Sequence, residues 1–358
     1  MIRTTEMVLP GHPDKFCDQV ADAVLTQCMR VDPYAYCQVE VSVWYDQVWL
    51  SGGIVTRKEL PLSLSEIVRR TGKKVGYTNG NFVNINNYKV TSTVCQQVAD
   101  PRPWVSNVND QCIAIGYAGY DAKTRYLPPE HYLGHILRKA LIESYMNGPL
   151  KGHGPDGKLL LVMREEPGGW ILELVLITLQ QKESVDFMVF CGRVERTFRE
   201  AYDTTRAKDK RWNRQWKDVE ILINPNGPFI NGGSDGDNGQ TGRKLVVDYY
   251  GPRVPIGGGA LCGKDLLHID RAAAYRARQA AVMAVQSGAH ECLVRLVYAP
   301  NIPEPLEIIY EMDGRGNRQH CEFFRHESIA ADYRKVKLEL AISCGGHFFE
   351  PGYPWNMF

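Results

Sequence analysis

The sequence predicts an α+β fold rather than a doubly wound parallel sheet. Strand-like runs come in groups with helical segments between them, and strict alternation of strand and helix is not seen. The chain has 358 residues, of which 44% are hydrophobic and 23% are charged, an ordinary composition for a globular protein. At roughly 100–200 residues per domain we expect two or three units, with a core that needs no disulfide or structural metal.

Apolar periodicity and end signals define the elements. The last predicted helix is rich in alanine and is followed by Gly288, a helix stop signal. The predicted helices are Asp14–Met29, His131–Tyr145, Val185–Tyr202 and Arg271–Ser287. The predicted strands are Cys37–Val43, Val48–Leu50, Tyr88–Val94, Leu159–Met163, Trp170–Thr178, Leu245–Tyr249, Leu293–Tyr298 and Leu306–Tyr310. Residues 151–157 and 251–259 are predicted loops, and no repeat is evident in the residues themselves.

Charge and cysteine usage bound the class of protein. The 42 Lys and Arg against 41 Asp and Glu give a net charge of +1, whereas a general nucleic-acid binder normally carries a basic excess. No run approaches the ~18 apolar residues of a membrane helix, and the start lacks the order of a signal peptide. Ten scattered cysteines without a CxxC pair favour reduced thiols. We therefore expect a cytoplasmic protein without nucleic-acid or membrane partners.

The first segment that could carry chemistry is Gly11–Lys15, where a glycine and a proline precede a predicted helix. In this turn the carboxylate of Asp14 could hold Mg²⁺, and the imidazole of His12 could donate to a phosphate-ester oxygen. Asp14, Asp18 and Asp22 follow at spacings of four and share one helical face. For Asp18 and Asp22 the alternative is a solvated acidic face favoured by the helix dipole.

The second segment, residues 232–244, has five glycines in 13 residues, which free the backbone to approach a ligand. It is not an EF-hand, because Gly239 occupies a ligand position and Val246 stands where the bidentate glutamate belongs. Two acids precede Arg243 and Lys244, an order that suits a metal–polyphosphate site. A plain flexible loop is the alternative.

The third segment, Gly258–Asp265, nearly matches a phosphate-binding loop. Asp265 replaces the Ser or Thr that would bind Mg²⁺, so the signal is weak by itself. A helix is expected to start near Asp270, and a Gly-rich approach to a helix N-terminus suits anions.

Two further groups are expected to be structural. His131 and His135 share a helix face, but no glutamate lies between them as in a zinc protease. A basic cluster is expected to be a solvated surface; it comprises Arg206, Lys208, Lys210, Arg211 and Arg214. No nucleophile motif such as GxSxG is present. The residues alone thus indicate a magnesium–nucleotide enzyme without naming its reaction.

Four longer motifs resemble the S-adenosylmethionine synthetases, also called methionine adenosyltransferases. Shorter similarities between the motifs keep the same order from end to end, among them the segments at Glu40, Gly76-Tyr77 and 155–158. The motifs are GHPDKFCDQVADAVL, GGSDGDNGQTGRKLVVDYYG, GGGALCGKD followed by IDRAAAY, and GGHFFEPGYPW.

The resemblance implies three α+β subdomains related by pseudo-threefold symmetry and interleaved in sequence. Their expected bounds are 1–12 with 111–228 (N-terminal), 13–110 (central) and 229–358 (C-terminal). The subunits would form a homodimer, possibly a tetramer, with active sites at the dimer interface. The sulfur of methionine would attack the ribose C5′ of ATP, and the departing triphosphate would then be cleaved to diphosphate and phosphate. Two Mg²⁺ and one K⁺ would assist.

The resemblance also implies roles for the residues at positions that match the family's motifs. The catalytic and triphosphate-binding residues would be His12, Lys158, Arg243, Lys244 and Lys264. The ATP contacts would be Asp156, Phe229 (on adenine), Asp237 and His268. The methionine contacts would be Asp110 (ammonium), Gln97 (carboxylate end), Ile302 (apolar stem) and Ile54. Asp14 and Asp270 would hold Mg²⁺ and Glu40 would hold K⁺. Because the substrate supplies the nucleophile, no catalytic Ser or Cys is needed, and cations would stabilise the departing polyphosphate.

The departures from the family pattern cluster on the amino-acid side. Ile54 stands where the family usually has a glutamate that contacts the methionine amino group. Asn107–Asn109 replaces Gly-Ala-Gly and stiffens the backbone, and the lid before it is shortened to about 98–106. His268 replaces a lysine, so a fixed charge becomes pH-dependent, and Pro228 replaces an arginine.

Three hypotheses follow. The first is an S-adenosylmethionine synthetase. The second keeps the adenosyl transfer but changes the acceptor to a methionine analogue or another thioether, which Ile54 and Asn107–Asn109 motivate. The third is a nucleotide-binding paralogue without turnover.

Overall fold

The computed structural model describes residues 1–78, 83–339 and 341–357. The helices are α1 (Pro13–Val31), α2 (Leu64–Val75), α3 (Arg102–Val105), α4 (Pro129–Asn147), α5 (Phe187–Lys208), α6 (Leu245–Asp248), α7 (Ile269–Gln286) and α8 (His326–Tyr333). The strands are β1 (Ile2–Val8), β2 (Tyr36–Trp44), β3 (Gln47–Thr56), β4 (Lys89–Ser92), β5 (Cys95–Val98), β6 (Cys112–Gly119), β7 (Gly157–Glu166), β8 (Gly169–Leu179), β9 (Glu220–Ile223), β10 (Gly239–Gln240), β11 (Ala289–Tyr298) and β12 (Glu307–Gly314).

The strands of the described residues form three sheets. The first sheet has the order β1-β7-β8-β9, the second β10-β2-β3-β4 with β5 also paired to β3, and the third β12-β11-β6. Most neighbours are antiparallel, whereas β4 and β5 run parallel to β3 and β9 runs parallel to β8. The predicted α+β class is therefore confirmed.

Each sheet buries one face against a long helix. Helix α1 packs on the second sheet, and its Phe16 and Val20 belong to the same core cluster as Val48 and Leu50 of β3. Helices α4 and α5 cover the first sheet, and the alanine-rich face of α7 covers the third. Alternating burial along β2 and β11 is the pattern of strands with one face in the core. Three similar α+β units result.

A fourth cluster joins the units through the C-terminal segment. The Trp355 ring stacks on Tyr275 of α7 with 3.8 Å between ring centroids, and Phe348 stacks on Tyr250 at 4.6 Å. All four rings are buried. This packing explains why the segment near the end of the chain is rich in aromatic residues.

The predicted helices are all present, but one predicted strand is wrong. Residues 245–249 begin with the short helix α6 rather than a strand. A strand would point Val247 and Asp248 to opposite faces, whereas the helical turn buries both. Asp248 thereby reaches the ammonium of Lys15, and this buried ion pair outweighs the β-propensity of Val246 and Val247.

The subdomain bounds stay a prediction, and strand pairing bears on one of them. Strand β6 lies in residues 111–228, yet all eight of its residues, Cys112–Gly119, pair with β11. We propose that the N-terminal unit resumes after Gly119 and that β6 belongs to the C-terminal unit. None of the described helices is long and apolar enough to cross a membrane.

Candidate active site

The N-terminus of α1 holds a histidine and a carboxylate in fixed positions. His12 caps the helix, and its Nδ1 accepts a hydrogen bond from the backbone N–H of Asp14 at 3.2 Å. Burial and the nearby Lys244 ammonium lower the pKa of His12 to about 3. A neutral imidazole that accepts at Nδ1 carries its proton on Nε2. His12 can therefore donate a hydrogen bond, as its expected role requires.

Asp14 is a buried carboxylate surrounded by donors. Its Oδ2 accepts from Lys244 Nζ at 2.6 Å, its Oδ1 accepts from the backbone N–H of Gln240 at 2.9 Å, and Arg243 Nε lies 3.6 Å away. Burial opposes ionisation, but the hydrogen bonds from Lys244 and the Gln240 N–H hold the pKa of Asp14 below its usual value. The site thus keeps a carboxylate anion beside two cationic side chains.

The N-terminus of α7 repeats this arrangement. His268 caps the helix, its Nδ1 accepts from the Asp270 N–H at 3.3 Å, and Asp270 Oδ2 accepts from Lys264 Nζ at 2.7 Å. The pattern His-x-Asp thus occurs twice, at 12–14 and at 268–270, although no repeat is evident from the sequence alone. Burial, followed by the Lys264 charge, lowers the pKa of His268 to about 4. The expected pH-dependent charge is therefore absent near neutral pH, where His268 is uncharged.

The acidic face of α1 anchors both glycine-rich segments. Asp18 Oδ1 accepts from the N–H of Gly242, and Asp22 Oδ1 accepts from the N–H of Gly263, each at 2.9 Å. Both carboxylates are buried. The alternative of a solvated acidic face is therefore wrong, because these carboxylates are buried and accept hydrogen bonds from the N–H groups of the loops.

Buried cations balance the same two carboxylates. Lys15 donates to Asp18 at 2.8 Å and to Asp248, and these two negative charges overcome burial and raise the pKa of Lys15. Arg271 of α7 binds Asp22 through both terminal nitrogens, at 2.8 and 2.9 Å. Such fork-shaped pairs fix geometry as well as charge. The helices α1 and α7 are thereby tied to the loops between them.

The start of β7 meets the second glycine-rich segment. Asp156 Oδ2 accepts from the Gly233 N–H at 2.7 Å, and burial raises the pKa of Asp156 to about 6. Lys158 is exposed, and its charge acts on both Asp156 and His12. The Phe229 carbonyl accepts from the N–H of Gln181 at 2.8 Å. The Pro155 carbonyl accepts from the Gly11 N–H at 3.1 Å, so the start of β7 lies next to the turn that carries His12.

Two expected ligand residues lie at the exposed rim. Asp237 is exposed, and its carboxylate accepts only from the neighbouring backbone N–H of Asn238 among the described residues. Arg243 donates to the Asn238 side chain at 2.5 Å. Glu40 on β2 is also exposed; partial burial raises the pKa of its carboxyl, and the charge of Lys264 opposes that rise.

Three side chains converge at the N-terminus of α7. Asp110, His268 and Asp270 place one ligand atom each within 4.8 Å of one another. Gly259 lies against the Asp270 carboxylate, since an added Cβ would stand 2.6 Å from its Cγ. Two neighbouring carboxylates, one of them against a glycine, form a donor set that suits Mg²⁺.

The residues expected to bind methionine lie in two separate places. Ile54 is fully buried in β3, and it lines a cavity of about 690 Å³ together with Gln97 of β5. Asp110 and Ile302 instead lie on neighbouring segments, because the Val108 carbonyl accepts from the Asn301 N–H at 2.9 Å. Ile302 is 41% exposed. A single chain therefore does not close a methionine pocket from the described residues.

Sequence reasoning missed the buried anchors behind the site. Lys15, Asp248 and Arg271 were given no role, although each makes an ion pair inside the core. The available signal was the spacing of Asp14, Asp18 and Asp22 on one face. Three acids in register on a buried helix need partners.

Comparison with known proteins identifies the family of this chain. Residues 1–99 match the N-terminal domain model of S-adenosylmethionine synthetase, and residues 231–351 match the C-terminal domain model. The S-adenosylmethionine synthase of Paracoccus denitrificans (strain Pd 1222) is 34% identical over 378 aligned positions, which cover 99% of this chain and 95% of that protein. The chain therefore belongs to the S-adenosylmethionine synthetase family, the methionine adenosyltransferases.

Proposed function

We propose that the protein transfers the adenosyl group of ATP to the sulfur of methionine, releasing S-adenosylmethionine, diphosphate and phosphate. The observation that carries this proposal is the doubled helix N-terminus. His12 with Asp14 and Lys244, and His268 with Asp270 and Lys264, both stand beside glycine-rich loops. Helix N-termini, cations and free backbone N–H groups are the parts from which polyphosphate sites are built.

The proposed reaction needs leaving-group stabilisation rather than a protein nucleophile. A sulfur lone pair forms the new bond to C5′ while the bond from C5′ to the triphosphate oxygen breaks. Negative charge then grows on that oxygen, where the Nε2–H of His12 would donate a hydrogen bond. Lys158, Arg243, Lys244 and Lys264 would hold the other phosphate oxygens. One water then cleaves the triphosphate. Cations already in place lower the cost of this charge.

The residues fit the expected metals. Asp14 and Asp270 would hold Mg²⁺, with Asp110 close enough to join, and Glu40 would hold K⁺. The bound ions would neutralise polyphosphate charge. Lys244 and Lys264 form ion pairs with Asp14 and Asp270. We therefore expect metal and phosphate to bind together, because phosphate oxygens draw these two ammonium groups away from the carboxylates.

We propose a homodimer, possibly a tetramer, with the active site between two chains. Asp110 and Ile302 are exposed in a single chain, which supports an assembly in which a second chain completes the pocket around them. A cytoplasmic location remains a prediction; all ten cysteines are free, as expected for a reducing compartment.

The test is direct product analysis. Purified protein is incubated with ATP, Mg²⁺, K⁺ and methionine, and mass spectrometry follows S-adenosylmethionine while separate assays follow phosphate and diphosphate. We expect one sulfonium product for each diphosphate. Phosphate release without a sulfonium product would contradict the proposal, and nucleotide binding without any turnover would favour the non-catalytic paralogue.

A second candidate is transfer to a methionine analogue or another thioether. The specific observation is Ile54, a fully buried apolar side chain at the wall of the cavity that also exposes Gln97. An apolar wall cannot pair with an ammonium group and instead favours an apolar substituent. A panel of thioethers separates the candidates: methionine should give the highest kcat/KM under the first proposal and a less polar thioether under the second.

A further inference from the structure

Asp265 stands where a phosphate-binding loop would carry a Mg²⁺-binding Ser or Thr, and the proposed reaction gives it no role. The residue is only 2% exposed. Its Oδ1 accepts hydrogen bonds from the N–H groups of Leu267 at 2.9 Å and His268 at 3.0 Å, and its Oδ2 accepts from the Cys37 N–H at 3.2 Å. Both carboxylate oxygens are therefore engaged by backbone donors, and Asp265 is not placed to bind Mg²⁺.

The segment that carries Asp265 lies antiparallel to β2. The Gly263 carbonyl accepts from the Val39 N–H, and the Cys37 carbonyl accepts from the Asp265 N–H, each at 2.9 Å. Gly263 is so close to β2 that an added Cβ would stand 2.1 Å from the Val39 carbonyl oxygen. In a complete antiparallel pair the Cys37 N–H would bond to the backbone carbonyl of Asp265, whereas here it bonds to the carboxylate. The side chain thus adds one ladder bond where the chain leaves the sheet.

This pairing fixes the direction of the Lys264 side chain. Lys264 is bridged to Gln38 of β2, and side chains directly opposite each other in an antiparallel pair lie on the same face. Glu40, two residues along β2, shares that face. A slip of one residue would turn the Lys264 side chain to the other face and break its 2.7 Å bond to Asp270. The bond between Asp265 and β2 therefore secures the register on which the direction of Lys264 depends.

The same carboxylate shapes the turn that leads into α7. An aspartate that accepts from the N–H groups two and three residues later forms a compact turn, as Asp265 does with Leu267 and His268. His268 is the residue that caps α7, and Asp270 lies in the first turn of that helix. One buried side chain therefore fixes Lys264 on the side of β2 and Asp270 on the side of α7.

We propose that Asp265 is a positioning residue that holds the Lys264 ammonium in place for phosphate oxygens through its bond to the Cys37 N–H. The inference rests on the proposed function, because it takes Lys264 as a polyphosphate contact. A side chain that is fixed before the ligand arrives loses little further conformational freedom on binding. Its charge also faces the growing negative charge without rearrangement. Without the bond to β2, Lys264 would keep its charge but lose its fixed position.

The test uses Asp265→Asn, which keeps one acceptor oxygen for the turn and places an amide donor opposite the Cys37 N–H. Wild type, Asp265→Asn, Lys264→Ala and the double variant are titrated with sodium tripolyphosphate in the presence of Mg²⁺ by isothermal titration calorimetry. Asp265→Asn should weaken binding about tenfold, and Lys264→Ala at least as much. In the Lys264→Ala background, Asp265→Asn should cause no further loss, because its effect passes through Lys264.

The controls separate positioning from folding. Amide hydrogen exchange at Cys37 should be faster in Asp265→Asn, which reports the lost bond directly, and thermal unfolding shows that each variant is folded at the assay temperature. Asp265→Ser has a hydroxyl for the turn that is too short to reach Cys37, so it should behave in the same way and replaces Asp265→Asn if that variant is unfolded. The matched control, Asp209→Asn, alters a buried carboxylate that accepts the Arg211 N–H at the end of α5 and should leave tripolyphosphate affinity unchanged.

Three outcomes would overturn the inference alone. Unchanged tripolyphosphate affinity in folded Asp265→Asn would show that Lys264 does not depend on this bond. Losses that multiply in the double variant would show that Asp265 supports the site in general rather than Lys264. Unchanged exchange at Cys37 would show that the bond does not hold the segment.

The proposed reaction is judged separately. If wild type binds tripolyphosphate but forms no sulfonium product from ATP and methionine, the reaction is refuted, while the same four affinities still decide the role of Asp265. Wild type without affinity for tripolyphosphate would overturn the phosphate site and this inference together.

Discussion

The histidines that cap the N-termini of α1 and α7 are both neutral near pH 7. The Nδ1 atoms of His12 and His268 are both engaged by the N–H two residues on, and burial lowers the pKa of each imidazole. Neither side chain is therefore a cation at neutral pH. At both helices the positive charge comes from lysine, at Lys244 and Lys264.

Lysine at position 264 should be indispensable for turnover. Its ammonium lies at the glycine-rich loop and next to Asp270, where it would meet the departing polyphosphate. We expect Lys264→Ala to lower kcat/KM for S-adenosylmethionine formation at least about 100-fold. Because Lys264 is buried and paired with Asp270, thermal unfolding is measured in parallel to show that the variant is folded at the assay temperature. The exposed Lys73→Ala serves as the control, and unchanged activity of Lys264→Ala would refute the assigned phosphate site.

A buried histidine pair gives the fold a response to acid. His131 contacts Thr5 at 3.0 Å and His135 at 3.2 Å, and Arg138 lies 3.4 Å from His135. Burial, and then the charge of Arg138, lower the pKa of His131 to about 3. The two histidines have the structural surroundings expected of them.

The sign of the pH dependence follows from this shift. In the unfolded chain His131 titrates near pH 6.5, so between pH 6.5 and 3 the unfolded state binds the extra proton. The favourable contribution of His131 is complete above pH 6.5 and is lost as the pH falls. From pH 7 to pH 5 the loss amounts to about 2 kcal/mol. The free energies of unfolding of wild type and His131→Gln are measured with urea at both pH values. The difference between the two proteins should be smaller at pH 5 than at pH 7. An equal difference at both pH values would contradict a buried, neutral His131.

At the scale of elements, α1 organises the site. Its acids at positions 14, 18 and 22 each hold the backbone of a different loop residue, Gln240, Gly242 and Gly263. One helix face thus fixes two segments that lie more than 200 residues away in sequence. The spacing of four was visible in the sequence, but the partners were not, because backbone N–H groups leave no residue signature.

The strongest of these anchors should be Asp22. Its carboxylate is buried and binds both Arg271 and the Gly263 N–H. Asp22→Asn leaves a buried guanidinium without a counter-charge, so we expect a loss of about 3–5 kcal/mol in the free energy of unfolding measured with urea. Glu66→Gln, which breaks an exposed pair with Arg70, should cost less than about 0.5 kcal/mol. Similar small losses in both variants would mean that the Asp22 pair is not a structural anchor.

The four longest helices could be predicted from the sequence, whereas several shorter helices and strands could not. The helices at α1, α4, α5 and α7 follow from amphipathic patterns of 18 or more residues. The sequence analysis did not predict strands β1, β5, β6, β9 and β10 or helices α2, α3 and α8, and it mistook α6 for a strand. A four-residue element has no period to read, and its conformation is decided by contacts such as Lys15 with Asp248.

At the scale of the whole molecule, the proposed active site lies between two chains. If each site takes His12 from one chain and Lys264 from the other, two inactive variants should complement each other. When His12→Ala and Lys264→Ala are co-expressed in equal amounts, half of the dimers contain one chain of each variant. Each mixed dimer has one intact active site and one site that lacks both side chains. We expect about a quarter of wild-type turnover. As a control, the two variants are purified separately and mixed under conditions that do not exchange subunits. If verified mixed dimers show no turnover, His12 and Lys264 of the same chain belong to the same active site.

The sequence by itself determined the α+β class, the family and the glycine-rich loops, since these depend on periodicity and on motifs that stay intact along the chain. It also named His12, Asp14, Lys264 and Asp270. Tertiary structure alone decided that Asp18 and Asp22 are buried anchors and that α6 is helical. Each of these depends on which distant groups meet in the core, where an unpaired charge or donor is costly, and no local pattern records such a meeting.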